Sequence, residues 1–384
     1  MYNFINFDNE IDLYLCESNC SNFTILNVIS AGIKDESRNQ DGIAHYIEHL
    51  YLADQHKKNN DGIWVNGFTK RDHTGYLLQS YNELAPEAIE MSINLIKSFS
   101  IDVRNAINLN KEEISKEKEQ ILHENNRLLQ NKKIMRQEKL ISNIYFNSNL
   151  KKPTYTTEKA IKNMNLIEAN KFVMSAYKQK KKVFVVGKLI DIDKIMYKYS
   201  EIRKNGEFYD FKNENDMPIQ RGTINLYNND ILAGTKVKLE SIKVFFLIEL
   251  LCNYVNLIIS KEKDGFIIGA KNKVFENFAI VLFDCRESGK MLNYDLIKEK
   301  IITKIYNHIN INDFKTIKNL LAYSFMQNIS NPKFFVLLMN KLVTNINKIE
   351  NVSNIMNIIK NINFYEFKSM ILSFGERDFN FYMN

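Results

Sequence analysis

Residues 42–54 read GIAHYIEHLYLAD, and the spacing of their polar side chains decides how the rest of the chain is read. On a helix, His45 and His49 lie one turn apart and face the same way. Glu48 stands three residues beyond the first histidine and next to the second, so it projects over the same surface. Two imidazoles at that spacing can reach one metal ion, and a carboxylate beside them can accept a proton. The bland alternative is a helix with two surface histidines and an incidental acid.

The remainder of the sequence bounds the class. At 384 residues, 45% of them hydrophobic, the chain can bury a sizeable core, and its length suits two domains. A net charge of +7 is modest beside 52 Lys plus Arg and 45 Asp plus Glu. It permits an acidic partner or peptide and argues against nucleic acid. KQKKK at 178–182 reads as a solvated C-terminal helical turn, favoured by the helix dipole. Cys16, Cys20, Cys252 and Cys285 are too scattered for a disulfide framework, so free thiols in a reducing compartment are expected. Cys16 and Cys20 as half of a metal site would have no second half nearby. The N-terminal MYNFINFDNEIDLYL carries acids where a signal peptide carries bases. VFFLIELLCNYV at 244–255 is too short for a membrane span and contains Glu249, so no span and a cytoplasmic location are expected.

Strand-like and helix-like segments alternate along the first half. FTILNVIS (23–30), GYLLQSYN (75–82) and KVFVVGKL (182–189) predict strands. Helices are predicted at about 40–57, after ELAPEA, at about 166–178, and as a long charged stretch over about 110–145. The second half repeats this grammar. GTINLYN (222–228) predicts a strand, about 238–260 an amphipathic helix, FIIGAKN and FAIVLFDC a hairpin, and RDFNFYMN a terminal strand. The aperiodic segment at 201–220 reads as a linker between two α+β domains, 1–205 and 206–384.

A catalytic zinc needs a third protein ligand and an open position for water. The best donors lie in EKEQILHENNRL, where Glu117 and Glu124 are seven residues apart and point the same way on a helix. Read alone, that helix and its other acids, Glu112, Glu113 and Glu119, are a solvated face. The order His-x-x-Glu-His reverses the usual zinc-protease helix motif and carries the same functions.

These residues together resemble the insulinase/pitrilysin (inverzincin) metallopeptidase family, in a short two-domain form like the subunits of mitochondrial processing peptidase. In that family His-x-x-Glu-His is followed about seventy residues later by Glu-x6-Glu, which Glu117 and Glu124 match. AGIKDESRNQDGIAHYIEHL, NGFTKRDHTGYLLQSYNELAPEAIEMSINLI and KPTYTTEKAIKNMNLIEANKFVMSAYKQKKKVFVVGKL extend the likeness. The resemblance implies Zn2+ held by His45, His49 and Glu124, Glu48 as general base, and Glu117 orienting an imidazole. It implies two similar domains, antiparallel sheets packed by helices, forming half of a clamshell, with a zinc-binding first domain and an inactive second. WVNGFTKRDHTGY at 64–76 resembles the family's edge strand, so Asn66 and Gly67 are expected to pair with a peptide by strand addition. Without the resemblance, Asn-Gly reads as a hairpin turn and His73 as a surface histidine.

One departure stands out. Active relatives take an Arg and a Tyr from the second half of the clamshell. The matching segment here, KEKDGFII at 261–268, puts Lys261 and Ile268 in those places. Lysine lacks the guanidinium fork and isoleucine has no donor. The expectation is the zinc-bearing half of a heterodimeric endopeptidase acting on short unfolded peptides, including leader-bearing ones, with a homologous partner subunit supplying the Arg and Tyr. A self-sufficient homodimeric peptidase and a non-catalytic peptide-binding or assembly subunit are the alternatives.

Overall fold

The computed structural model describes residues 2–7, 11–37, 40–58, 62–189, 191–202, 230–262, 265–286, 294–346 and 352–383. The linker at 201–220, from 203 onward, and the strand expected at 222–228 lie outside them.

The chain forms two compact units. The first gathers residues 1–134, 152–214 and 329–340, and the second residues 135–151, 215–328 and 341–384. Each unit therefore takes a segment from the other half of the sequence, beside the contiguous division at 205/206 that was expected.

The first unit is built on six strands: β1 (Tyr2–Phe7), β2 (Ile11–Glu17), β3 (Asn22–Ile29), β4 (Trp64–Thr69), β5 (Thr74–Tyr81) and β6 (Lys181–Gly187). Their order is β1-β2-β6-β3-β5-β4, antiparallel throughout except for the parallel pair β2–β6. β4 is thus an edge strand, as the resemblance implied. Asn66 and Gly67 lie within it, paired with Leu77 and Tyr76, and not at a hairpin turn. KQKKK is not a solvated helical end. Lys181 and Lys182 already belong to β6, which runs between β2 and β3, and Lys181 is 5% exposed.

Helix α1 (Ile43–Lys57) packs on β4 and on α3 (Lys111–Gln130), while α2 (Ala85–Ser98) packs on β3 and β5. The buried stripe Ile43, Ala44, Tyr46, Ile47, Leu50 and Tyr51 fixes which face of α1 turns inward. Its first turn is held from outside the helix. Glu36 accepts from the N–H groups of Gly42 and Ala44, both at 3.0 Å, filling donors that a helix start leaves open. Gly42 has φ +81, and a Cβ there would meet Met164 and Thr156, so only glycine fits. Burial pushes the Glu36 carboxyl up to about 8, against the pull of the two N–H donors and Lys152. Replacing Glu36 with Ala leaves two buried donors unmet and is expected to cost about 1–3 kcal/mol of stability. A urea midpoint unchanged from wild type would show that this cap carries no weight.

The second unit holds β7 (Asp230–Lys238), β8 (Ile267–Phe275), β9 (Phe278–Arg286) and β10 (Phe379–Met383), all antiparallel in the order β10-β7-β9-β8. The expected single helical stretch over 110–145 breaks at Asn131. That residue ends α3 and accepts from the N–H of Ile134, starting α4 (Lys132–Ile144). Leu140, Ile141 and Ile144 of α4 then join Leu232, Ile280 and Leu282 in the core of the second unit. Full burial of each such side chain stabilises by about 1.5–3 kcal/mol, which holds the excursion in place. Helix α5 (Ile242–Leu257) is less amphipathic than expected, since ten of its residues are buried. By length and composition Ile242–Lys261 could cross a membrane, but 61% of that window is buried in the protein, and α5 packs on β8 as a core helix.

Candidate metal centre

Four side chains from α1 and α3 converge within the first unit. His45 Nε2 stands 3.5 Å from Glu124 Oε2, and His49 Nε2 stands 3.6 Å from the same oxygen. The donor atoms of His45, His49 and Glu124 all lie within 4.8 Å of one another. Bonds of about 2.0–2.2 Å in a tetrahedral site place neighbouring ligand atoms a little over 3 Å apart, so this triangle suits a zinc-sized ion. Glu124 is 39% exposed at its side chain and His45 29%, so one side of the triangle is open. The donor set, two imidazoles and one carboxylate, is that of a catalytic zinc.

Their placement follows from local rules. One turn of α1 sets the two imidazoles edge to face, with ring centroids 4.7 Å apart. Two turns of α3 align Glu117 with Glu124. α3 starts at a reciprocal cap between Asn110 and Glu113, which sets where those turns fall. Glu117 Oε2 lies 2.9 Å from His49 Nδ1, a bond that leaves Nε2 directed at Glu124. Burial alone would lower the His49 imidazole, yet its bonds to Glu117 and Glu124 carry it up to about 9. The same bonds from His45 and His49 hold the Glu124 carboxyl well below the usual carboxylate range.

Glu117→Gln is expected to weaken zinc affinity about 10–100-fold, since it removes the charge that orients and polarises His49. A chelator competition titration reads this directly, and unchanged affinity would remove Glu117 from the site.

Glu48 is 4% exposed, and burial raises its carboxyl above the ordinary value against the pull of His45, Thr69 and His49. Its Oε2 accepts from the Thr69 hydroxyl at 2.6 Å. Sequence reasoning missed Thr69. The one available signal was its period-two spacing from Gly67 on β4. Of the two residues expected to meet a peptide, Asn66 is exposed and Gly67 half-buried, with Asn66 Oδ1 accepting from the Gly67 N–H at 2.9 Å. His73 is not a surface side chain. It is 3% exposed, 2.8 Å from Asp72 and 3.2 Å from Asn340, and it belongs to the buried β4–β5 turn. In the second unit Lys261 ends a short 3-10 turn and Ile268, on β8, is 43% exposed. Arg286, at the end of β9, is paired with Asp230 at 3.2 Å.

Two imidazoles and a buried carboxylate on α1, faced by a carboxylate from α3, form a group that could hold a metal ion. Residues 18–158 match the family described as Insulinase (Peptidase family M16). It is similar to the beta subunit of mitochondrial-processing peptidase from Saccharomyces cerevisiae, at 26% identity over 112 residues, 27% of this chain and 24% of that protein. It is also similar to core protein I of the ubiquinol-cytochrome-c reductase complex from Euglena gracilis, at 26% over 77 residues, 18% of this chain and 16% of that one. The chain thus matches about a quarter or less of the length of these curated relatives. Among solved structures, a protease from Helicobacter pylori is similar with a TM-score of 0.77 and 15% identity, covering 100% of this chain and 99% of that one. A chain of Complex III2 from Candida albicans, Inz-5 bound, is similar with a TM-score of 0.78 and 13% identity, covering 99% and 94%. These likenesses are of fold, and they bear out two sheets packed by helices.

Proposed function

We propose that this chain is the zinc-bearing half of a two-subunit endopeptidase that cleaves short unfolded peptides. The observation that carries the reading is the convergence of His45, His49 and Glu124 on one point with the buried Glu48 beside them. Zinc, when bound by those three, would supply a water acidified toward pH 7 and a charge to polarise the scissile carbonyl. The chain's own groups account for the rest. Glu48, raised toward neutrality by burial, takes a proton from the attacking water and returns it to the leaving amine. Glu117 keeps the His49 ring in one tautomer. The free edge of β4 offers backbone N–H and C=O groups to an extended peptide, with Asn66 and Gly67 at its centre.

The second unit is the inactive homologous half of this reading, with Lys261 and Ile268 where an Arg and a Tyr would stabilise charge. A homologous partner supplying that pair is proposed on this ground, together with the named relatives, one of which is a subunit of mitochondrial-processing peptidase and one a core protein. Leader-bearing peptides are the substrate class put forward. Zinc content and peptide hydrolysis of the purified chain, alone and then with a homologous partner, test the reading. No zinc uptake would leave a non-catalytic peptide-binding or assembly subunit. Robust hydrolysis by the chain alone would point to a self-sufficient homodimer.

A further inference from the structure

We infer that Thr69 is a positioning residue for Glu48, so that the strand offered to the peptide also aims the base. This rests on the zinc-peptidase reading above. Residues 67 and 69 are two apart on β4 and share the face turned to α1. Thr69 donates to Glu48 Oε2 at 2.6 Å. Directly beneath, Gly67 leaves the space that the rest of the side chain fills. A Cβ at Gly67 would stand 2.8 Å from Glu48 Oε1 and 2.9 Å from its Cγ. One oxygen is thus committed to Thr69, and the other lies against Gly67, where an added Cβ would push on it. Because Oε2 is the oxygen held by Thr69, the geometry assigns Oε1 as the proton-accepting atom.

A carboxylate on a two-bond tether would otherwise sample several χ rotamers. A short hydrogen bond to a charged oxygen, with a backbone floor under the other, selects one. The metal ligands do not need this contact, because the polar partners of His45 and His49 are Glu117 and Glu124. Thr69 should therefore govern what Glu48 does beside the metal and leave the metal itself in place.

The test uses the full chain loaded with zinc and needs no turnover. The probe is a peptide hydroxamate, whose N–OH proton requires a carboxylate acceptor beside the metal. Wild type, Thr69→Val, Thr69→Ser, Gly67→Ala and Glu48→Gln are compared for zinc stoichiometry, thermal melting and zinc-dependent hydroxamate affinity. Thr69→Val is expected to keep zinc and bind the probe about 10–100-fold more weakly, as loss of a hydrogen bond to a charged group does. Thr69→Ser restores the hydroxyl and should return affinity to within a few-fold of wild type. Gly67→Ala pushes on the same carboxylate and should weaken the probe in the same sense, and it carries the test if Thr69→Val does not fold. Wild-type affinity in Thr69→Val or in a folded Gly67→Ala overturns the inference, as does loss of zinc from a folded Thr69→Val. A zinc-loaded wild type that does not bind the probe overturns it too, while leaving the metal site standing. A wild type that takes up no zinc overturns instead the reading on which the inference rests.

Discussion

Glu48→Gln is expected to hold zinc at the wild-type stoichiometry and to lose turnover by about 10²–10⁴-fold, the usual contribution of a positioned general base. The amide is nearly isosteric, so the 4%-exposed pocket between α1 and β4 is neither emptied nor overfilled. Its oxygen can still accept from Thr69, and none of His45, His49 or Glu124 is touched. What disappears is the capacity to take a proton. Burial raises the carboxyl of Glu48 above its ordinary value, which makes it a stronger proton acceptor than an exposed glutamate. Metal analysis and kcat/KM, measured in whichever assembly shows activity, check the two halves separately. A variant that loses zinc would make Glu48 structural, and one that stays active would remove it from the chemistry.

The parts of this site that were legible in the sequence are those set by helical periodicity. His45, Glu48 and His49 are fixed relative to one another by a single turn, and Glu117 and Glu124 by two. Nothing local brings the two helices together; that came from family resemblance, and the packing of α1 on α3 is the structural counterpart. The contacts that were not legible are non-local ones. Thr69 reaches Glu48 from across 21 positions, and Glu36 caps α1 from a 3-10 turn ahead of it. Neither residue differs in type from a surface threonine or glutamate. The same limit explains the lysines at 181 and 182, whose charge argues for solvent until β6 is seen running between β2 and β3. Strands β1 and β2 are masked in the sequence by the acids Asp8, Glu10 and Asp12, although Ile11, Leu13 and Leu15 alternate along β2 and are fully buried. Periodicity found the helical run at 110–145 but could not show that Leu140 and Ile141 face a different sheet from Ile121. A helix pattern says which side chains share a face and is silent on what that face meets.

The largest expected effect concerns Lys261 and Ile268, which stand in the second unit where the resemblance implies an Arg and a Tyr. The purified chain alone is expected to hold zinc and to hydrolyse peptides little or not at all, and to gain activity when a homologous subunit contributes an Arg and a Tyr. Peptide hydrolysis builds negative charge on the carbonyl oxygen. A preorganised donor aimed at that charge is worth about 10²–10³ in rate, and two are missing here. Lys261 keeps a positive charge but not the planar fork that grips an oxyanion or a carboxylate at two points. Ile268 offers no donor at all, and at 43% exposure it is not held as a core residue that packing would forbid to change. Self-association cannot repair the defect, because a second copy brings the same Lys261 and Ile268. The double substitution Lys261→Arg with Ile268→Tyr is therefore expected to restore part of the missing activity to the chain alone, by about 10-fold or more if one donor is regained. Zinc content should not change, since both positions lie in the second unit and every metal-facing residue lies in the first. Hydrolysis by the unmodified chain at rates typical of peptidases would end the two-subunit reading. Activity that appears only with a partner, and is lost when the partner's Arg or Tyr is replaced, would establish it.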